Sequence, residues 1–193
     1  EGRMGIITEV VVRVTPLPEA EAFKVVFFSS WDVGLLVAKS LVQQRVPLSM
    51  VRLSNPMETT SLLHMGAGED SGGVAALDAS LAEQGIGSGK VMMTIGVTGS
   101  TDSCSFASAS ALAICHAHGG VPDQLGLGEN WAHGRFRAPY LRDPLGTAGY
   151  AVDTMETALD WSKVTQAVDD IETAIRTGLS DEGEQVHAYT HLS

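Results

Sequence analysis

The stretch FKVVFFSSWDVGLLVAKSLVQQRVPLSMVRLSNP, residues 23–56, decides the fold class. Its first part, residues 23–29, is dense in β-branched and aromatic residues and predicts a strand. Ser30 supplies an N-cap for the helix that follows, which ends near Pro47. The apolar stripe of this helix consists of Val33, Leu36, Val37 and Leu41. Residues 49–53 then predict a second strand, so the stretch forms a β-α-β unit.

Another strand and helix follow further along the chain. Residues 91–97, VMMTIGV, are almost entirely apolar and predict a buried strand. Ser100 or Thr101 caps the next helix, predicted over residues 102–118, and the pair Gly119-Gly120 ends it. The small side chains of this helix predict close packing against a sheet.

The remaining segments are less regular. Residues 64–90 hold two glycine-rich runs around an amphipathic patch at 74–81, and they predict a mobile loop with one helix. Residues 150–153 predict a strand, residues 160–178 predict an amphipathic helix, and residues 186–192 predict a final strand.

The alternation of strands and helices favours an α+β fold of ferredoxin-like type, with an antiparallel sheet and helices packed on one face. A doubly wound parallel sheet is the alternative. We prefer the antiparallel sheet because the link between residues 49–53 and 91–97 has no crossover helix of full length.

The composition is that of a globular domain, with 44% hydrophobic and 18% charged residues. A formal net charge of -11 and the lack of long basic runs argue against nucleic acid as a partner. No apolar stretch reaches the roughly 18 residues of a membrane span, and the first residues do not resemble a signal peptide. We therefore expect a cytoplasmic protein. A homodimer is compatible with this composition.

Cys104 and Cys115 lie too far apart on one helix for a disulfide, so we expect reduced thiols.

The densest group of charged and aromatic residues is ENWAHGRFRAPYLRD, residues 129–143. It contains Arg135, Arg137 and Arg142, interleaved with Trp131, His133, Phe136 and Tyr140. An arginine fork binds a carboxylate or a phosphate through two hydrogen bonds, which makes this segment a candidate anion site. The alternative is a solvated helix face with internal ion pairs to Glu129 and Asp143.

Arg52 is a second candidate, because it lies at the end of an apolar strand beside a turn, where ligands often bind. The alternative is an ordinary surface arginine. His187, Tyr189 and His191 share one side of the last predicted strand and give that side a polar character. No carboxylate or cysteine nearby in the sequence completes a zinc site, so we expect no metal.

Several stretches resemble a known family. The opening EGRMGIITEVVVRVTPLPE resembles the end of the FAD-binding domain in flavoproteins of the vanillyl-alcohol oxidase type, and residues 5–14 within it predict a strand. The stretches MVRLSNPMET, GLGENWAHGRFRAPYLRD and VDTMETALDW are similar to the FAD-linked oxidase C-terminal domain. The similarity is closest to the branch that includes alkyldihydroxyacetonephosphate synthase, glycolate oxidase and D-lactate dehydrogenase.

This resemblance implies that residues 1–19 are the C-terminal edge of an FAD-binding domain and that residues 20–193 are a substrate (cap) domain, truncated at its C-terminus. It implies contacts to FAD from Glu1, Gly2, Arg3, Met4, Gly5, Ile6 and Ile7. It also implies that a small anionic substrate is bound by Arg142, Arg52, Tyr140, Arg135 and His191. The catalytic tyrosine and histidines of the family would lie beyond Ser193. We therefore expect no catalytic residue in this chain and no stable binding of FAD by the chain alone.

The implied chemistry is that of the flavin. In most relatives FAD accepts a hydride from a hydroxy acid or an alcohol, and in the synthase branch it serves the exchange of an acyl for an alkyl group. The alternative to a flavoenzyme domain is a stand-alone ferredoxin-like module that binds a small molecule or regulates a partner without flavin.

Overall fold

Two long strands form the centre of the sheet, since their β-branched and aromatic residues pack well on a pleated surface. In the computed structural model, which describes residues 4–67 and 71–193, these are β1 and β3. The strands are β1 (Ala20–Phe28), β2 (Met50–Ser54), β3 (Val91–Gly99), β4 (Val121–Pro122) and β5 (His191–Leu192). In the described residues they form one sheet in the order β4-β1-β3-β2-β5.

All neighbouring strands of this sheet are antiparallel. β1 pairs with β3 along its whole length, from Ala20 opposite Gly99 to Phe28 opposite Val91. β2 pairs with the other side of β3, and the short strands β4 and β5 pair with β1 and β2. The predicted antiparallel α+β fold is confirmed, and the parallel alternative is wrong.

The α-helices are α1 (Trp31–Gln43), α2 (Pro56–Ala67), α3 (Ser71–Glu83), α4 (Thr101–Ala117), α5 (Leu127–Gly134), α6 (Arg142–Thr147) and α7 (Val164–Thr177). Short 3-10 turns lie at Ala138–Leu141, Trp161–Lys163 and Ser180–Glu182. The predicted caps of α1 and α4 are confirmed, because the hydroxyls of Ser30 and Ser100 accept from Val33 N and Ser103 N. In the described part of the chain no helix is long and apolar enough to cross a bilayer.

One face of the sheet carries α1 and α4. Its buried core consists of Val26, Phe28, Leu53, Val91, Met93 and Ile95 from the strands, with Val37, Ala38, Leu41, Ala111 and Cys115 from the helices. α1 approaches this face closely, since a Cβ at Gly34 would lie 2.5 Å from Leu53 Cδ1. Cys104 and Cys115 are free and buried, and burial raises the pKa of the Cys115 thiol to about 12.

The opposite face is also covered, which corrects the prediction of helices on one face only. Here Val25, Phe27 and Met92 pack against Leu63 of α2 and residues of α3 and the loop after it, namely Val74, Leu81 and Ile86. β1 alternates its side chains between the two faces, and over residues 25–28 both sets are buried. The helices that cover this second face lie largely in residues 64–90, which the glycine-rich sequence had predicted to be mostly loop.

Two predicted strands are wrong. Residues 5–14 are exposed and form no strand, because β-branched residues need a partner strand and the described residues provide none here. Residues 150–153 likewise form no strand. The predicted strand at residues 186–192 is confirmed only at His191–Leu192, where the chain pairs with β2.

Candidate functional site

A group of polar side chains lies on the second face of the sheet, beside the start of α2. β2 places Arg52 opposite Thr94 of β3, and it places Ser54 opposite His191 of β5. Residues two apart on a strand point to the same face, as do directly opposed residues. Arg52 and His191 therefore lie on one face of the sheet.

Glu58 completes this group. Arg52 Nη2 donates to Glu58 Oε1 at 2.6 Å and lies 3.0 Å from His191 Nδ1. His191 Nδ1 lies 3.3 Å from the same Glu58 oxygen. The exposed fraction of the side chains rises outward from 9% for Glu58 through 27% for Arg52 to 40% for His191. We call Arg52, Glu58 and His191 the arginine cluster.

The start of α2 determines where Glu58 lies. Asn55 precedes the helix and its Oδ1 accepts from Glu58 N at 2.8 Å, as an N-cap does. Pro56 suits the first helical position because the N–H that it lacks would have no partner there. Since α2 begins directly after β2, the carboxylate of Glu58 lies within hydrogen-bond distance of Arg52 on that strand.

The charges of the arginine cluster compensate each other. Burial of the Glu58 carboxyl raises its pKa, but the hydrogen bond with His191, the charge of Arg52 and a hydrogen bond with Ser54 outweigh burial. The pKa of Glu58 consequently lies below its ordinary value, so the carboxylate is ionised at neutral pH. Arg52 is thus a fixed cation with a buried counter-ion and a partly exposed surface.

A second network holds the edge of the sheet beside the cluster. Glu172 of α7 accepts from Asn55 Nδ2 and from Thr190 Oγ1, each at 2.7 Å, and also bonds to Arg176. Asn55 N donates to Thr190 O at 2.8 Å. Burial raises the pKa of Glu172, but its bonds to Thr190, Asn55 and Arg176 lower it below the ordinary value. α7, β5 and the start of α2 are joined through Asn55.

Arg135 lies elsewhere, at the packing of α5 on β1. Its Nη2 donates to Glu21 Oε1 at 3.0 Å, and its guanidinium lies over the rings of Phe23, Trp131 and Phe136 at 4.7, 5.7 and 4.8 Å from their centroids. These contacts attach α5 to β1. The sequence alternative was ion pairs within residues 129–143, but Glu129 pairs with Lys24 of β1 at 3.3 Å and Arg135 pairs with Glu21 of the same strand.

Arg142 and Tyr140 lie on an exposed segment. Arg142 is the first residue of α6 and its Nη2 donates to Val152 O at 2.6 Å, while Tyr140 is exposed in the preceding 3-10 turn. The structure thus brings Arg52 and His191 into contact, whereas the described contacts of Arg142 and Arg135 are with other residues. Substrate binding by these five residues stays a prediction.

The comparisons with known proteins bear on the family. Residues 17–192 match the family model of the C-terminal domain of FAD linked oxidases. The chain belongs to this family.

Two curated relatives are both named alkyldihydroxyacetonephosphate synthase. The protein from Dictyostelium discoideum is 22% identical over 200 residues, which cover 100% of this chain and 32% of that protein. The protein from Trypanosoma brucei brucei is 23% identical over 166 residues, which cover 82% of this chain and 27% of that protein. A solved structure of an alkyldihydroxyacetonephosphate synthase has a TM-score of 0.75 at 20% identity, and covers 93% of this chain and 34% of its own. This FAD-linked oxidase C-terminal domain therefore spans about a third of the length of those relatives, and the structural match supports its fold.

The segment that the resemblance assigns to FAD lies at the start of the domain. Glu1, Gly2 and Arg3 lie outside the described residues. Met4 lies in a bend, Gly5, Ile6 and Ile7 belong to no helix or strand, and the side chains of Met4, Ile6 and Ile7 are at least 80% exposed. An apolar and uncovered segment fits contact with a flat ring system or with another domain.

Sequence reasoning missed Glu58, Asn55 and Glu172. A signal was present for the first two, because Asn55, Pro56 and Glu58 have the spacing of an N-cap with an acid in the first turn. Glu172 gave no signal, since its role depends on α7 meeting the end of β2. Among the described residues, no group of three or more potential metal ligands is suited to holding an ion.

Proposed function

We propose that this chain is the substrate-binding part of an FAD-dependent enzyme that acts on a small anionic molecule. Residues 1–19 would form the edge of the FAD-binding domain, and residues 20–193 the substrate domain. The family match over residues 17–192 supports the assignment to a flavoenzyme. The observation that carries the substrate class is Arg52, a cation fixed by a buried carboxylate and still partly exposed.

The geometry of Arg52 is suited to orienting an anion. Its Nη2 is shared between Glu58 and His191, which limits rotation of the guanidinium plane. A planar guanidinium carries five N–H donors, so a fixed one presents its remaining edge in a defined direction. Orientation of a substrate beside the reacting centre is a large source of rate enhancement.

The other predicted binding residues have distinct parts in this proposal. Arg142 would anchor the anionic group, exchanging its present acceptor, Val152 O, for the substrate. Tyr140 is exposed nearby and would pack against the bound molecule. His191 would help to orient Arg52. Arg135 would hold α5 on β1, and the exposed edge of its guanidinium would face the substrate.

FAD, when bound, would supply the electron sink of the reaction. The residues of this chain would bind and orient the substrate, with Met4 to Ile7 beside the cofactor. The name of the curated relatives refers to a phosphate ester, and this favours a phosphate-bearing substrate and the exchange of an acyl for an alkyl group. Oxidation of a 2-hydroxy acid is the second reaction that the family suggests.

The test uses the FAD-containing protein that includes this domain. Anaerobic bleaching of the flavin by D-lactate or glycolate would identify a hydroxy-acid oxidoreductase. Exchange of the acyl group of acyl-dihydroxyacetone phosphate for a fatty alcohol would identify a synthase. If neither reaction occurs, the proposed function is overturned.

Arg52→Met then tests the residue. Loss of a charged hydrogen bond costs about 1–3 kcal/mol, so kcat/KM should fall about 5- to 150-fold. Arg45→Met is the matched control, because it removes the same charge at an exposed position after α1 and should leave kcat/KM unchanged. Equal kinetics for both variants would contradict a role for Arg52 in binding.

A further inference from the structure

The carboxylate of Glu58 does not make the hydrogen bond to the helix N-terminus that its position in α2 would suggest. An acid three residues after an N-cap often bonds back to the backbone N–H of the cap residue. Here Asn55 N instead donates to Thr190 O at 2.8 Å, and Glu58 Oε1 accepts from Arg52 at 2.6 Å. The carboxylate therefore bonds to the guanidinium of Arg52 on β2 and not to the N-terminus of α2.

The contact with His191 gives Nη2 of Arg52 a second neighbour. Nη2 of Arg52 lies 2.6 Å from Glu58 Oε1 and 3.0 Å from His191 Nδ1, so two neighbours hold this nitrogen. Glu58 supplies the only negative charge within the cluster, and both oriented bonds of Nη2 depend on this arrangement.

We propose that Glu58 is a positioning residue, which fixes the guanidinium of Arg52 and so sets where the anionic group of the substrate lies. This inference rests on the proposed function, because Arg52 must first bind substrate. The Glu58 side chain is only 9% exposed and contacts the more exposed guanidinium of Arg52, so we expect it to act on the substrate through Arg52. The negative charge of Glu58 also weakens the attraction of Arg52 for anions. The ion pair therefore lowers the affinity of the site for the substrate and fixes the orientation of the guanidinium.

Glu58→Gln separates these two effects, because glutamine has nearly the same shape but no charge. Without the carboxylate, Arg52 attracts an anion more strongly and is oriented less well. We expect the KM for the anionic substrate to stay level or fall. A misplacement of about 1 Å can cost 10²-fold in rate, so we expect kcat to fall at least about tenfold. A purely structural role would lower the yield or the melting temperature without a fall in kcat at a level or lower KM.

The decisive measurement is a double-mutant cycle in the FAD-containing protein, assayed with D-lactate or acyl-dihydroxyacetone phosphate, whichever it turns over. If Glu58 acts through Arg52, Glu58→Gln should lower kcat at least about tenfold in the wild-type background and less than about twofold in the Arg52→Met background. Equal effects in both backgrounds would overturn the inference.

Two outcomes distinguish this inference from the proposed function. If Arg52→Met leaves the kinetics unchanged, the proposed function fails. If Arg52→Met lowers kcat/KM and Glu58→Gln does not change kcat, only the positioning role fails. Should the glutamine variant not accumulate, Glu58→Asp serves in the same cycle, since it keeps the charge and withdraws the carboxylate from Nη2 by one methylene. Full activity of Glu58→Asp would also contradict the positioning role.

Discussion

Asn55→Ala would test the network that joins α2, α7 and β5. Asn55 is buried, and its Oδ1 accepts from Glu58 N at 2.8 Å. Its Nδ2 donates to Glu172 Oε1 at 2.7 Å and to Ala188 O at 3.4 Å. Alanine removes all of these bonds and leaves the Glu172 carboxylate with fewer donors.

The expected loss of stability follows from these contacts. Loss of an N-cap costs about 1 kcal/mol. Loss of a hydrogen bond to a charged group costs about 1.5–3 kcal/mol. The long bond to Ala188 O adds little. We expect Asn55→Ala to lower the free energy of unfolding by about 3 kcal/mol.

Urea unfolding followed by circular dichroism measures this loss. Thr60→Ala is the control on the same helix, because its exposed hydroxyl bonds only to Pro56 O within α2, and it should stay within about 0.5 kcal/mol of the wild type. Asn55→Asp keeps the cap acceptor but faces Glu172 with a like charge, so it should also be destabilised. A loss below about 1 kcal/mol for Asn55→Ala would refute the reasoning.

Two further predictions concern packing and pH. In Gly128→Ala the new Cβ would lie 2.2 Å from Phe23 O, so we expect a loss of at least about 2 kcal/mol in urea unfolding. Gly134→Ala on the same helix meets no atom within 4 Å and should be neutral or slightly stabilising, and an equal loss in both would contradict the packing argument. The pKa of Glu172 is lower in the folded state than the ordinary 4.5, so its contribution to stability is complete above that value and is lost as the pH falls through the folded pKa. Glu172→Gln should weaken the decline of melting temperature in acid, and an unchanged decline would show that Glu172 does not contribute.

The regular parts of the fold could be predicted from the sequence. The caps Ser30 and Ser100, the helices that they begin and the strands β1 and β3 have local signals, namely a capping hydroxyl and a run of apolar residues. The second helical layer could not be predicted this way. Glycines at residues 66–73 indicate a loop locally, whereas burial of Leu63 and Leu81 against β1 stabilises helices on both sides of that run.

The candidate site was predictable only in part. Arg52 was singled out because it ends an apolar strand beside a turn, and His191 because it belongs to a polar side of a predicted strand. The structure places Arg52 Nη2 and His191 Nδ1 3.0 Å apart. Glu58 is the residue that links them, and its contact depends on the tertiary arrangement of α2 over β2. Arg142 belongs to a segment whose basic and aromatic residues the sequence alone marks as important, but its hydrogen-bond partner in the structure is local, Val152 O.

The incomplete pairing of β1 has a consequence for solubility. β4 pairs only with Val26 and Phe27, and over the first half of β1 it is α5, with Gly128 against the carbonyl of Phe23, that lies along this edge. An open strand edge is a template for strands of other molecules. If α5 detached while the sheet stayed folded, the unpaired edge of β1 would be exposed. We would then expect concentration-dependent aggregation.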